Sequence, residues 1–173
     1  MSRRGPKRRK RPRSERDPAP GLTLRPATVA DAETIQAQRD AMFTEMGSDV
    51  ARVRASSAPS LAWLRAALAG GSYSGLLIET GAQVVAGAGV SWQVLPPSPS
   101  TITPLRAYIQ NVYVAPEGRG QGLARYLMGI LLAECRTRGV EQVSLHASDA
   151  GRPTYERLGF LPTNEMRLTL EPS

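Results

Sequence analysis

The 173-residue chain has 22 basic and 15 acidic residues and is 41% hydrophobic, a composition that excludes a disordered or membrane-embedded chain and suits one packed domain rather than two. Its formal charge of +7 suggests a nucleic-acid partner, but the basic excess is confined to residues 1–20, and the remainder of the chain is formally neutral. No run of 18 apolar residues is present, and the N-terminal arginines lead into Pro and Asp rather than an apolar stretch, so neither a membrane span nor a secretory signal is expected.

Residues 1–21, with Pro6, Pro12, Pro18 and Pro20 among like charges, have nothing to bury and are expected to form an unfolded basic tail. The domain is expected over 22–173. Leu22 to Arg25 alternates as a strand, and Thr28 with Asp31 resembles a helix N-cap ahead of a helical stretch over 30–46. A second helix is predicted from Pro59, a first-turn proline, to Ala69, with Gly70 and Gly71 ending it. From Ser74 the period changes, and 75–79 and 84–92 around Gly81-Ala82 read as a hairpin. Tyr108 to Val114 reads as a central strand that Pro116 stops.

A glycine-rich turn over 118–122 then opens a helix to about Arg138, with Leu123, Leu127, Ile130, Leu131 and Cys135 on its apolar face. Val143 to Ala147 is a further strand and Arg152 to Leu158 a short helix, after which Phe160-Leu161 and Met166 to Leu170 are expected to complete the sheet. Cys135, the lone cysteine, has no internal partner and is expected as a buried reduced thiol, which fits a reducing, cytoplasmic setting. Trp63 and Trp92 read as core or pocket-wall residues.

The segment from Val114 to Arg125 carries the chemistry. A strand enters a glycine turn that starts an amphipathic helix, and the first N–H groups of that helix lack intrahelical partners. Gly120 and Gly122 let the backbone approach a ligand, while Arg119 and the helix dipole supply positive potential, so the turn is an anion site. A Walker loop would need Gly-Lys-Ser/Thr where this chain has Gly122-Leu123-Ala124. A dinucleotide fingerprint would need glycine at 123, or Gly/Ala at 125, where Leu and Arg stand.

Arg119-Gly120-Gln121-Gly122-Leu123-Ala124 instead resembles the R-x-x-G-x-A/G pyrophosphate loop of the GNAT acetyltransferases, and the order of elements from Leu22 to Leu170 is similar to that fold. The resemblance implies an α/β architecture, a mixed, mostly antiparallel sheet of about six or seven strands with helices on both faces. It implies acetyl-CoA as cosubstrate, held by Arg119 to Ala124, and transfer of the acetyl group to a primary amine by direct attack in a ternary complex, with no metal and no covalent acyl-enzyme.

Tyr155-Glu-Arg-Leu-Gly159-Phe160 resembles the second signature of that family, in which a tyrosine faces the thioester sulfur. A phenol of ordinary pKa about 10 stays protonated at neutral pH and supplies the proton that the departing thiolate needs. The family often has Asn seven residues before this tyrosine; this chain has Ser148. By the same resemblance, the backbone of Val112, Tyr113 and Val114 runs along the pantetheine arm, with an N–H near Tyr113 donating to the thioester carbonyl.

An amine of pKa near 10.4 must lose a proton before it attacks, and the strand from Tyr108 to Val114 offers no carboxylate. Glu45, in a segment that lines the acceptor pocket in this fold, is one candidate base; Glu79 and ordered water are others. His146, without a Ser, Cys or metal-ligand partner at a recognisable spacing, reads as structural. Two alternatives remain: a non-catalytic acyl-CoA-binding module, and a nucleic-acid-associated protein acting through Arg3 to Arg16. A small-molecule or peptide amine is the expected partner, with a homodimer also allowed.

Overall fold

The structure, a computed structural model, describes residues 20–170. The basic tail expected over 1–21 thus lies outside the described residues, apart from Pro20 and Gly21. Strands β1 (Leu22–Pro26), β2 (Tyr73–Thr80), β3 (Gln83–Val94), β4 (Leu105–Val114) and β5 (Val143–Leu145) form one sheet in that spatial order. The first four run antiparallel to their neighbours, and β5 lies parallel to β4. Helices α1 (Ala32–Glu45), α2 (Val50–Gly70), α3 (Leu123–Thr137) and α4 (Arg152–Arg157) complete the domain.

The core has two layers because successive side chains on a strand point to opposite faces. Ile78 joins Val85, Val90 and Ile109 under the α3 stripe of Leu127, Met128, Leu131 and Cys135. Leu77, its neighbour, joins Ile35, Leu64 and Tyr73 beneath α1 and α2. The sheet is therefore covered on both faces, and each large apolar side chain buried there contributes roughly 1.5–3 kcal/mol relative to exposure. Cys135 sits in this core with its thiol pushed up to about 11, chiefly by burial, which leaves it a packing residue rather than a nucleophile.

The entry of α1 is fixed by charge. Asp31, buried, accepts from both terminal nitrogens of Arg25 at 2.9 and 2.7 Å and from the backbone N–H of Thr28 at 2.7 Å. Hydrogen bonds from Arg25 hold the Asp31 carboxyl down at about 2. The stabilisation from this pair is complete above the ordinary carboxylate range near 4 and is lost only as pH falls through 2. The predicted Thr28–Asp31 cap is present, with the Thr28 hydroxyl also donating to Asp31 at 2.9 Å.

Two expectations change. Helix α2 begins at Val50 rather than Pro59, and Pro59 lies inside it. An interior proline costs roughly 3 kcal/mol, but Asp49 caps the earlier start by accepting the Arg52 N–H at 2.9 Å, and Val53 is buried. The sheet has five strands among the described residues, fewer than the six or seven expected, because 160–170 do not pair. Leu161, Met166, Leu168 and Leu170 stand 82%, 94%, 82% and 77% exposed.

Candidate active site

Strands β4 and β5 pair only from Ala107 with Val143 to Ile109 with Leu145. Beyond that point β4 runs on to Val114 with no strand beside it on that side among the described residues, and a cleft of about 1020 Å³ opens there. The opening is reinforced on the other side of β4. The β3–β4 register shifts between Gly87 and Gly89, opposite Tyr113 and Gln110. Asn111, within this bulge, has φ +56, a conformation that asparagine tolerates better than most residues.

One wall of the cleft is the stretch Gln110 to Val114, which includes the expected Val112, Tyr113 and Val114; another carries Ser148 and Tyr155; Arg119 and Ala124 close one end. At that end α3 starts from Gly122, with φ +77 and no side-chain cap, and Gly120 has the same φ. A left-handed backbone at two positions suits glycine, and it leaves the first N–H groups of a 15-residue helix without a capping side chain. Leu123 is buried in the core, so only its backbone is available to a ligand. Gln121 donates to the Glu117 carbonyl at 3.3 Å, which ties the loop to the preceding turn.

Tyr155 is half-buried on α4, its ring edge-on to Phe160 at 6.1 Å. Its hydroxyl has no hydrogen-bond partner among the described residues, and burial raises its pKa above the ordinary phenol value. The Ser148 hydroxyl accepts the Gly151 N–H at 3.1 Å at the entry to α4 and keeps its own proton for a further acceptor. Glu45 and Arg119 meet across the cleft at 2.5 Å, and the Tyr113 hydroxyl donates to the other Glu45 oxygen at 2.9 Å. Both Glu45 oxygens are thus engaged, while Glu79 is engaged by Arg25 on the far side of the sheet, at 2.7 Å. A pair as exposed as Glu45–Arg119 is worth about 1 kcal/mol or less, so a competing anion can take Arg119 from it.

Side chains that were not legible in the sequence also line the cleft. His146 accepts or donates at Nδ1 with the Tyr108 hydroxyl at 2.5 Å, and Arg167 approaches its Nε2. The lone histidine therefore belongs to the cleft wall. Arg39 stands at the junction of this cleft with a smaller pocket of about 270 Å³ bounded by Ser60, Trp63, Leu64, Gln110 and Asn111. Trp63 is thus a pocket wall, whereas Trp92 is anchored by Ser74 at 2.9 Å and covered by the Arg138 guanidinium.

A splayed parallel pair beside an uncapped, glycine-led helix can hold an extended anionic ligand, and comparison with known proteins gives the class. The model of the acetyltransferase (GNAT) domain matches residues 62–168, and the chain belongs to that family. It is 38% identical to a GCN5-related N-acetyltransferase from Ralstonia eutropha JMP134, with a TM-score of 0.84 over 87% of this chain and 99% of that one. A predicted acetyltransferase from Clostridium acetobutylicum, solved with acetyl-CoA, is 26% identical, with a TM-score of 0.77 over 87% and 96% of the two chains. A glucosamine 6-phosphate N-acetyltransferase from Trypanosoma brucei brucei is 39% identical over 64 residues, which are 36% of this chain and 44% of that enzyme. No group of His, Cys, Asp and Glu able to hold a metal occurs among the described residues, and none of their helices is long and apolar enough to cross a membrane.

Proposed function

We propose that this acyltransferase moves the acetyl group of acetyl-CoA directly to a primary amine in a ternary complex, in a reducing, cytoplasmic setting. The observation that carries the reading is a single cleft lined at one end by Arg119 and Ala124, which flank the uncapped start of α3, and further along by Tyr155, whose phenol has no partner among the described residues. The donor set fits the cosubstrate: backbone amides over 119–124 and the Arg119 guanidinium suit a diphosphate, and the open edge of β4 suits an amide-bearing arm. Acetyl-CoA supplies the activated acetyl thioester. The backbone N–H near Tyr113 steadies the carbonyl oxygen, Ser148 holds the arm, and Tyr155 gives its proton to the departing sulfur.

With both of its oxygens occupied, Glu45 orients Arg119 and Tyr113 in the free protein; as a base it acts through water once Arg119 turns to the diphosphate. The decisive experiment pairs calorimetry of CoA binding with free-thiol release over a panel of amines that includes glucosamine 6-phosphate. We expect heat of CoA association that falls about tenfold or more in affinity for Arg119→Ala, and thiol release with at least one amine. Absence of CoA heat in the wild type would end this reading; CoA heat without any turnover would favour the non-catalytic binding module.

The unpaired C-terminal segment supports the homodimer. Met166, Leu168 and Leu170 alternate in sequence as one face of a strand would, all are exposed, and β5 is an edge strand among the described residues. A second copy that takes this strand across a two-fold axis would cover both. Light scattering on the intact chain is expected to give twice the monomer mass, and M166D/L168D a monomer. A monomeric wild type would refute the exchange.

A further inference from the structure

Arg39 is a half-buried cation with no carboxylate within ion-pair distance among the described residues. Each nearby carboxylate is committed elsewhere. Asp40, the next residue, accepts from Gln36 at 2.8 Å and from Ser57 at 2.7 Å, and Glu45 holds Arg119 and Tyr113. Arg39 donates through one terminal nitrogen to the Asn111 side-chain oxygen at 2.6 Å, and it lies 4.7 Å from the centre of the Phe43 ring. The remaining guanidinium N–H groups have no partner among the described residues.

The group is also held in place. The Asn111 amide donates to the Tyr73 hydroxyl at 3.1 Å, and Tyr73 and Asn111 are both buried, 2% and 5% exposed. Tyr73 on β2 thereby fixes Asn111 on the β4 bulge, which in turn fixes Arg39 from α1. A largely buried three-residue relay that aims a guanidinium at a pocket mouth costs desolvation, and nothing among the described residues returns that cost as an ion pair. A fixed, planar fork of donors suits a carboxylate or phosphate.

We propose that Arg39 is the specificity-determining residue for an anionic group on the acceptor, so that the substrate is an amine that also carries a carboxylate or a phosphate. The inference rests on the acetyltransferase reading, since it places the amine beside the bulge of β4 and its anionic substituent in the pocket of Arg39, Ser60 and Trp63. It goes beyond that reading because neither the pyrophosphate loop nor Tyr155 selects among amines.

Matched probes test it: phosphoethanolamine against ethanolamine for the phosphate, and phenylalanine against phenylalaninamide for the carboxylate. Each is titrated into the CoA-saturated protein by calorimetry and assayed with acetyl-CoA for thiol release. We expect the charged member of at least one pair to bind about 10- to 100-fold more tightly than its neutral partner. Arg39→Gln should erase that preference, Arg39→Lys should restore part of it, and both variants should keep wild-type CoA affinity. The proposal is overturned if neither charged probe is preferred, or if Arg39→Gln retains the preference. Which pair responds separates phosphate from carboxylate. Loss of the CoA heat itself would instead count against the acetyltransferase reading.

Discussion

Replacing Tyr155 by phenylalanine is expected to lower kcat about 100-fold or more while leaving CoA affinity unchanged. The ring is edge-on to Phe160 and packs against the α3 side of the core, contacts that phenylalanine keeps, so the change removes little besides the hydroxyl. That hydroxyl has no partner among the described residues, so its removal leaves none of their buried groups unsatisfied. General-acid assistance is typically worth 10²–10⁴ in rate, which sets the size of the effect. The pH dependence follows from the same environment. Tyr155 works in its protonated form, and burial raises its ionisation, so wild-type kcat should hold its alkaline plateau to above pH 10. Thiol-release kinetics from pH 6 to 10.5 on both proteins check this. An unchanged rate in the variant, or a wild-type decline that begins near pH 8, would remove Tyr155 from the proton transfer.

The parts of this site that could be read from the sequence are those made by neighbours in the chain. Arg119 to Ala124 carries its meaning in spacing, since a strand, alternating glycines and an amphipathic helix must follow one another for an uncapped helix start to arise. The hairpin of β2 and β3 and most of the apolar stripe of α3 were legible for the same reason, although Met128, not the expected Ile130, is the buried member of that turn. The Glu45–Arg119 contact joins residues 74 apart, and the Arg39–Asn111 contact joins residues 72 apart, and no local pattern reports such pairs. His146 had no partner at a recognisable spacing because its partner, Tyr108, sits across the β4–β5 register.

The start of α2 was hidden by a real conflict. Pro59 is a strong helix-start signal, and it was overridden by the Asp49 cap and the contact of Ser57 with Asp40 on α1. The C-terminal alternation was read as a strand, yet among the described residues 160–170 pair with no strand, although β5 ends the sheet. A periodicity of two states which side chains share a face; it does not state whether the segment finds an edge to pair with.

Substituting Gly89 by alanine is expected to cost about 3 kcal/mol of stability, one of the largest effects of a single methyl group in this chain. A Cβ on Gly89 would lie 1.8 Å from the Tyr73 hydroxyl oxygen and 2.2 Å from the ring carbon that bears it. Tyr73 is 2% exposed and stands edge-on to Trp63 at 5.9 Å, so its ring cannot yield without leaving the core. If the ring moves, the Asn111 bond is lost and with it the support of Arg39, so stability and acceptor selection should fall together. Thermal denaturation should show a drop of roughly 6–12 °C for a domain of this size. Tyr73→Phe keeps the ring carbon in the way and should not relieve the clash. Tyr73→Ala should, so that G89A costs little when added to Y73A, a coupling of more than about 1 kcal/mol in the double-mutant cycle. Additive losses would show that the ring does not lie across Gly89, and the relay from Tyr73 to Arg39 would then lack its anchor.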